Sequence, residues 1–326
     1  MTKQKAAVPV VSPETIRNAI GFADLIEPMA YAFRQSSAGR ADNGLLILYP
    51  AENPEAGDVY VKTGVLKGAR TYIVKISPWF AANVETGAPQ GGFIAVFDSR
   101  TGHTLALLDD RHYLSAIRTA AAGALAARLL APARVERATV LGSGTQAFLQ
   151  PQALYHERPY SELLVWARDA AKAEALGERL AAALPDVEIR VEADIETAVR
   201  ACDVLMTCTQ AREPLVRGAW LKPGQHVTAI GADDPSKCEL AADALGRASV
   251  YVDSLATTAA NGDVARAIAE GRYDIGSVAG EIGDFFSEAG AWKRPADAIT
   301  IAKFVGLGAQ DHQAAEATLL RLGLIG

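Results

Sequence analysis

The chain has 326 residues, of which 50% are hydrophobic and 21% charged, and its formal net charge is −6. This composition is typical of a soluble globular protein of about two domains. The acidic balance argues against a nucleic-acid or anionic-membrane partner, and no apolar run reaches the ~18 residues of a transmembrane helix. The first residues lack a signal-peptide pattern, so we expect a cytoplasmic protein. The three cysteines and five histidines show no metal-ligand spacing, so no metal site is expected.

The first predicted element is an amphipathic helix. Ser12, Pro13 and Glu14 have the order of an N-cap, a first-turn proline and a first-turn acid. Apolar residues continue at roughly helical spacing as far as Phe33. This pattern predicts one continuous helix.

The region from about Leu45 to Leu108 has a different pattern, in which short β-rich runs alternate with turns rich in Gly, Pro, Asn and Asp. The predicted strands are 45–48, 59–62, 71–75, 92–97 and 104–108. Their short connections predict a sheet of mainly hairpin-linked strands.

An alanine-rich helix is predicted from Leu114 to Leu130, where Pro132 closes it. Strands and helices then alternate, with strands at 138–142, 163–167, 187–191, 203–208, 226–231 and 249–252, and helices near 145–156, 170–184 and 195–201. Such alternation predicts a parallel sheet covered by helices on both faces. We therefore predict an α/β protein with a Rossmann-type doubly wound parallel sheet over 121–304. An N-terminal α+β domain is predicted over 1–120, to which about 305–326 return.

A glycine fingerprint, Gly142-Ser143-Gly144-Thr145-Gln146-Ala147, follows the first of these strands and precedes a helix. Glycines are required there because the turn is tight and the backbone must approach a pyrophosphate at the helix N-terminus. The hexapeptide alone is a weak signal, but its place within a strand–helix–strand unit strengthens it. It predicts a bound dinucleotide.

The residue that ends the next strand distinguishes the two nicotinamide dinucleotides. An acid there holds the ribose 2′-hydroxyl, whereas an arginine accommodates a 2′-phosphate. Ala167 occupies the position expected for the acid, and Arg168 follows it, which favours NADP(H). NAD(H) stays possible if Asp169 reaches the ribose instead.

Three cations are candidates for binding a substrate. Lys62 and Lys75 each lie in a short β run, and Arg118 lies on the helix that leads into the nucleotide domain. A strand lysine is usually the solvent-facing member of an alternating pattern. Three cations that converge near a domain cleft would instead suit a carboxylate substrate.

Asp233 is the candidate for proton transfer. It follows the apolar strand that ends at Ile230, and functional residues of open α/β sheets gather beyond the carboxyl ends of the strands. The alternative is that Asp233, Asp234 and Pro235 form only a turn and a helix cap.

Several segments in one order resemble the ornithine cyclodeaminase/mu-crystallin family. They are Val61–Gly64, Tyr72–Ile76 with Pro78 and Asn83, Arg118–Ala122, Gly142–Ala147, Ile230–Asp233 with Lys237 and Glu239–Leu240, and Lys303–Gly306. Each motif is modest alone, and the specificity comes from their number and order.

The resemblance implies a homodimer whose N-terminal domain supplies the substrate pocket and the dimer interface, while the second domain binds the nucleotide. It implies that Lys75 and Arg118 grip the substrate carboxylate and that Asp233 transfers a proton, so Lys75 and Asp233 are the predicted catalytic residues. An arginine common on an early strand of the family is not evident, and Lys62 is expected to take its place. The predicted cofactor contacts are Thr119, Gly142, Gly144, Thr145, Gln146, Ala167, Arg168, Thr209 and Gly231.

The chemistry that suits these parts is hydride transfer between a nicotinamide and the α-carbon of a small amino acid or its imine. The leading hypothesis is an NAD(P)H-dependent imino-acid reductase or amino-acid dehydrogenase. One alternative is a cyclodeaminase, which releases ammonia and recycles its bound cofactor. Arg168 favours the reductase, because a recycled cofactor gains nothing from the cellular NADPH pool. The second alternative is a non-catalytic NADP(H)-binding protein.

Overall fold

The computed structural model describes residues 7–53, 56–83, 90–287 and 293–326. Contacts within the chain divide it into two units. The first consists of Met1–Arg118 and Leu307–Gly326, and the second of Thr119–Gly306.

The first unit begins with strand β1 (Val10–Val11) and helices α1 (Pro13–Ala19) and α2 (Ile26–Ser37). The predicted start is confirmed, because the Ser12 side chain accepts a hydrogen bond from the Thr15 amide at 3.2 Å and Pro13 opens the helix. The prediction of one continuous helix is wrong. The chain becomes extended at Ile20, and the Gly21 amide donates to Asp24 Oδ2 at 2.9 Å. Glycine weakens a helix and a short acidic side chain offers its backbone a local partner, so the helix stops and restarts.

A six-stranded sheet follows, and the predicted hairpin-linked pattern is confirmed. Its remaining strands are β2 (Ala41–Leu48), β3 (Gly57–Leu66), β4 (Thr71–Phe80), β5 (Phe93–Asp98) and β6 (Thr104–Leu108). The spatial order is β1-β6-β5-β4-β3-β2, antiparallel except for the parallel pair of β1 and β6. Strand β2 therefore forms one outer edge of the sheet.

Helix α3 (Tyr113–Leu130) connects to an eight-stranded sheet in the second unit. Its strands are β7 (Arg137–Leu141), β8 (Glu162–Trp166), β9 (Glu188–Val191), β10 (Val204–Thr207), β11 (His226–Ala229), β12 (Ser249–Val252), β13 (Gly280–Glu281) and β14 (Thr300–Lys303). Its helices are α4 (Thr145–Glu157), α5 (Ala170–Ala183), α6 (Ile195–Ala201), α7 (Ala242–Gly246), α8 (Leu255–Thr258) and α9 (Gly262–Ala269). All the strand pairs are parallel, which confirms the predicted α/β class.

The order of this sheet is β13-β12-β14-β11-β10-β7-β8-β9. From β7 the chain runs outward through β8 and β9, then crosses back to β10 on the other side of β7. The carboxyl ends of β7 and β10 are therefore a topological switch point, where open α/β sheets bind their ligands.

Strand β14 was not predicted from the sequence, although it is fully buried between β11 and β12. It has only four residues and ends in Lys303, so its apolar run is too short to stand out from the preceding loop. The strand forms because β11 and β12 hydrogen-bond to it on both sides.

The last helix, α10 (Gly308–Arg321), packs in the first unit against α2 and β3. A Cβ atom on Gly64 would lie 2.1 Å from the Gly308 carbonyl oxygen. Both positions need glycine because the helix start lies directly on the strand. Within the described residues, no helix has both the length and the apolar composition that crossing a bilayer requires.

Candidate active site

Three predicted substrate-binding cations gather inside the first unit. Lys62 on β3 and Lys75 on β4 are register partners across the antiparallel pair, so both side chains lie on the same face of the sheet. Lys62, Lys75 and Arg118 are all buried, with 8%, 4% and 7% of their surface exposed. The alternative of solvent-facing strand lysines is therefore wrong for this fold.

One carboxylate holds two of these cations together. Asp311 Oδ1 on α10 accepts from Lys75 Nζ at 3.2 Å and from Arg118 Nε at 3.1 Å. Lys75 Nζ also donates to the Ser115 hydroxyl, one turn before Arg118 on α3. The other carboxylate oxygen, Asp311 Oδ2, is buried and has no hydrogen-bond partner among the described residues. We name Lys62, Lys75, Arg118 and Asp311 the cation cluster.

Burial and charge oppose each other within the cation cluster. Burial alone would raise the pKa of Asp311, but Lys75, Arg118 and Lys62 outweigh it and hold that pKa well below its ordinary value of 3.8. The pKa of Lys75 is lowered from 10.5, first by burial, while Asp311 acts in the opposite direction. Asp311 is therefore ionised at any physiological pH and stabilises the charge of Lys75.

A second carboxyl group, that of Asp110, lies just before α3. Burial raises its pKa to about 6, against the opposing effect of Lys75 and of the Leu114 amide, which donates to Asp110 Oδ2 at 3.0 Å. The next two residues, Arg111 and His112, both have positive φ angles, of 45° and 70°. Such strained non-glycine backbone persists only where its surroundings hold it, and it clusters at functional sites.

The predicted dinucleotide turn has the expected geometry. Gly142 has φ of 125°, and a Cβ there would lie 2.6 Å from the Cys208 carbonyl oxygen, so glycine is required. Gly144 is the N-cap of α4 with no side-chain cap, and a Cβ on it would meet no atom within 4 Å. Thr145 and Gln146 open the helix behind this space. A phosphate group fits a helix N-terminus that carries no side-chain cap and faces open space.

The predicted contact at Thr119 lies on α3 beside this helix. The Gln150 side chain on α4 donates from Nε2 to the Thr119 carbonyl oxygen and to Gln146 Oε1, both at 3.0 Å. A Cβ on Gly123 would lie 1.9 Å from Gln150 Oε1. Close packing of α3 on α4 therefore fixes Thr119 relative to the glycine turn.

Ala167 and Arg168 lie at the end of β8, next to the turn. Arg168 is exposed and has no hydrogen bond or ion pair with any residue in the described part of the chain. Asp169 is the N-cap of α5 and accepts from the Lys172 amide at 3.2 Å. Its carboxylate is thus engaged in the helix cap, which leaves Arg168 as the available side chain at this strand end.

Thr209 and Gly231 follow β10 and β11, and both are held by Glu239. Glu239 Oε1 accepts from the Thr209 amide at 2.6 Å and from the Thr209 hydroxyl at 2.8 Å. Glu239 Oε2 accepts from the Gly231 amide at 2.8 Å. Gly231 itself touches Thr209, because a Cβ there would lie 2.1 Å from the Thr209 carbonyl oxygen.

Asp233 lies two residues beyond Gly231, in the same unit as the dinucleotide turn. Its side chain is 43% exposed, and its Oδ1 lies 2.6 Å from Lys237 Nζ. Lys237 also contacts Asp234 Oδ2 at 3.1 Å. Asp233 is thus an accessible carboxylate with one cationic partner, and not a helix cap.

Sequence reasoning missed Asp311, Asp110 and Ser115. Asp311 carried one signal, a run of four polar residues, Gln310–Gln313, inside an otherwise alanine-rich helix. All four are buried, and a buried polar run in a helix indicates partners from other elements. No group of three or more His, Cys, Asp or Glu in the described residues could hold a metal ion.

The comparisons with known proteins identify one family. A sequence model of the Ornithine cyclodeaminase/mu-crystallin family matches residues 9–320. A putative dehydrogenase of Rhizobium meliloti (strain 1021) is 40% identical over 266 residues, which cover 81% of this chain and 80% of that protein.

Two solved structures are similar over nearly the whole chain. The Δ1-pyrroline-2-carboxylate reductase of Thermococcus litoralis, in complex with NADH and L-proline, matches with a TM-score of 0.89 at 25% identity and covers 96% of this chain and 97% of that one. An archaeal alanine dehydrogenase dimer with bound NAD matches with a TM-score of 0.87 at 26% identity and covers 96% and 95%.

The Asp311→Asn variant tests the cation cluster. Removing one partner of a buried ion pair leaves uncompensated charge, so we expect the free energy of unfolding in urea to fall by about 3 kcal/mol at pH 7. Because the folded-state pKa of Asp311 is depressed, its contribution is present above the unfolded value of 3.8 and is lost as the pH falls below it. The difference between wild type and variant should therefore shrink below about pH 4.

Glu316→Gln is the matched control on the same helix. Glu316 accepts from Thr71 Oγ1 at 3.0 Å and from Gln313 Nε2 at 2.8 Å, and a glutamine oxygen can still accept. We expect it to cost less than about 1 kcal/mol. Equal losses in the two variants, or a difference that persists unchanged at pH 3, would contradict the central role of Asp311.

Proposed function

Because the chain belongs to the ornithine cyclodeaminase/mu-crystallin family, we propose that it is a cytoplasmic, NADPH-dependent reductase of small α-imino acids. The observation that carries this proposal is the convergence of three buried cations, Lys62, Lys75 and Arg118, around Asp311. Three buried cations face the ionised Asp311 and the Asp110 carboxyl group, whose pKa is about 6. Several cations gathered in one buried place suit the binding of a substrate carboxylate.

The proposal gives each of these side chains a role. Lys75 and Arg118 hold the substrate carboxylate from β4 and α3, with Lys62 adding charge from β3. Asp311 keeps Lys75 and Arg118 in place through its shared oxygen. The nicotinamide, when bound at the glycine turn, supplies the hydride to the α-carbon. Asp233 delivers the proton to, or stabilises, the imine nitrogen.

The reductase that matches with a TM-score of 0.89 holds NADH and L-proline, which supports both a nicotinamide and a monocarboxylate substrate for this chain. The proposal covers cyclic and open-chain imino acids with one carboxylate.

The first experiment measures NADPH and NADH oxidation with a panel of carboxylated cyclic imines and of 2-oxo acids mixed with ammonia or methylamine. We expect turnover with at least one imino acid and a higher kcat/KM with NADPH. Asp233→Asn should lower kcat by about 10²-fold with the KM for NADPH nearly unchanged, because the lost proton transfer affects only the chemical step.

Asp234→Asn is the control, since Asp234 shares Lys237 but accepts from Ser236 within its own loop. It should keep kcat within about 3-fold of wild type. Ammonia release from a diamino acid without net NADPH consumption would replace the reductase by a cyclodeaminase. If the protein binds NADPH but turns over none of these compounds, the reductase is replaced by the non-catalytic nucleotide-binding protein.

The two similar structures described above hold NADH and NAD. The proposed preference for NADPH therefore rests on Arg168 alone. We expect Arg168→Ala to raise the KM for NADPH about 10-fold and to leave the KM for NADH unchanged, since only NADPH carries the 2′-phosphate. Arg200→Ala, which removes an exposed arginine of α6 paired with Glu196, should change neither. An equal effect of Arg168→Ala on both cofactors would contradict the phosphate role.

The edge strand β2 supports the second part of the proposal, that the enzyme is a homodimer. Leu45, Leu46, Leu48 and Tyr49 lie on or next to this strand and are each 44–56% exposed. An apolar sheet edge invites pairing or packing with another chain, and the archaeal alanine dehydrogenase in the comparison is a dimer.

Sedimentation equilibrium tests the dimer. Wild type should have the mass of two chains, and Leu46→Glu should shift the protein toward the mass of one by placing a charge in the apolar edge. Leu324→Glu, at a leucine that is 43% exposed outside the strand, should leave the dimer intact. A monomeric wild type would refute the homodimer.

A further inference from the structure

A buried lysine lies at the end of the central sheet without a role in the proposed reaction. Lys303 is the last residue of β14 and is fully buried. Its Nζ lies 2.8 Å from Asp263 Oδ2, on the first turn of α9, and donates to the Ala232 carbonyl oxygen. A fully buried ammonium group is costly, so a fold retains it where its partners are well placed.

The partner Asp263 is itself tied to a second buried carboxylate. Asp263 Oδ1 accepts from the backbone amides of Glu239 and Leu240, at 2.5 and 2.8 Å. The Glu239 side chain in turn accepts from Thr209 and Gly231, and also from the Thr207 hydroxyl at 2.8 Å. We name Lys303, Asp263 and Glu239 the loop anchor; all three are fully buried.

The charges of the loop anchor depend on one another. Burial would lower the pKa of Lys303, but Asp263 and Glu239 outweigh it and raise that pKa above 10.5. The pKa of Glu239 is raised by burial and by Asp263, while Lys303 opposes the rise. Lys303 is thus held as the charged donor at the centre of the group.

The segment that the loop anchor holds is the one that carries Asp233. Glu239 binds the Gly231 amide, Lys303 binds the Ala232 carbonyl, and the Gly262 amide donates to the Asp234 carbonyl oxygen at 3.0 Å. Three positions that flank Asp233 are therefore fixed through their backbone, two before it and one after it. The Asp233 side chain stays partly exposed beyond them.

The segment around Asp233 is tightly packed against Gly262 and Lys303. Gly262 has φ of 70°, and a Cβ on it would lie 2.2 Å from the Ala232 carbonyl oxygen and 3.0 Å from Lys303 Cε. A shift of Lys303 would therefore move the Ala232 carbonyl and the following residue with it. Misplacing a reacting group by 1 Å can cost about 10²-fold in rate.

We infer that Lys303 is a positioning residue, which, with Asp263 and Glu239, fixes the backbone on both sides of Asp233 and so sets the place of its carboxylate. The inference rests on the proposed function for the role of Asp233, but not for the immobility of the loop. Lys303 touches neither substrate nor cofactor in this role. It acts on Asp233 through the Ala232 carbonyl, beside the direct electrostatic attraction between Lys303 and Asp233.

The test uses the full-length double variant Lys303→Met/Asp263→Asn, which removes both charges together and leaves an asparagine oxygen to accept from the Glu239 and Leu240 amides. Hydrogen exchange measured by mass spectrometry should be at least about 10-fold faster in peptides covering 230–236, because the anchored backbone now opens locally. Peptides covering 142–150 should exchange as in wild type. Unchanged exchange in 230–236 would overturn the inference.

Steady-state kinetics provide the second measurement. We expect kcat to fall at least about 10-fold, with the KM for NADPH within about 3-fold of wild type, because the nucleotide turn is untouched. A purely structural role would lower the amount of folded enzyme and leave its kcat unchanged. A wild-type kcat in the folded double variant would therefore also overturn the inference.

The control Lys222→Met/Asp203→Asn makes the same replacements at the opposite, amino-terminal edge of the sheet, where Lys222 Nζ lies 3.6 Å from Asp203 Oδ1. It should change neither loop exchange nor kcat. If the double variant does not fold, Lys303→Gln/Asp263→Asn also removes both charges but keeps a neutral donor, and it should show the same two effects at smaller size. If wild type reduces no imine, the proposed function fails, while the exchange measurement still decides whether Lys303 holds the loop.

Discussion

The cost of burying charge is the constraint on which the rest of this structure depends. An ionised side chain removed from water must find opposite charge or well-aligned hydrogen bonds, otherwise the fold loses several kcal/mol. Both units of this protein contain such groups at the points where function is expected. In the first unit three cations gather around Asp311, whereas in the second Lys303, Asp263 and Glu239 hold a backbone segment.

The two buried groups differ in what they leave unsatisfied. Asp311 binds two cations through one oxygen, and its other oxygen has no partner among the described residues. A buried acceptor in this state gains from a ligand that brings a hydrogen-bond donor, such as the nitrogen of an amino or imino acid. Glu239, by contrast, accepts from four donors with its two oxygens. A carboxylate satisfied to this extent is suited to holding a loop and not to exchanging partners.

Glycines allow backbone segments to approach each other closely near both buried groups. Gly64 lets α10 lie directly on β3, which brings Asp311 to the face that carries Lys62 and Lys75. Gly231 and Gly262 do the same for the segment around Asp233. Gly231 and Gly262 also lie beside buried charged side chains, since a Cβ on them would lie 2.6 Å from Glu239 Oε1 and 3.0 Å from Lys303 Cε.

The sequence by itself determined the fold class, the parallel sheet and the dinucleotide turn, because hydrophobic periodicity and the glycine spacing act over a few residues. It also indicated Lys62, Lys75, Arg118 and Asp233 as candidates. Local pattern was insufficient at β14, whose four residues are a strand only between two neighbours that are distant in sequence. At Gly21 the cause is local, because the helix predicted to continue stops where the Gly21 amide donates to Asp24, and the spacing of the apolar residues did not show it. Only the tertiary structure decided that two strand lysines face inward and that Asp311 pairs with Lys75 across 236 positions of sequence. The physical reason is that the energy of a charged group depends on the groups around it in the folded protein. Those neighbours cannot be identified from the order of residues along the chain.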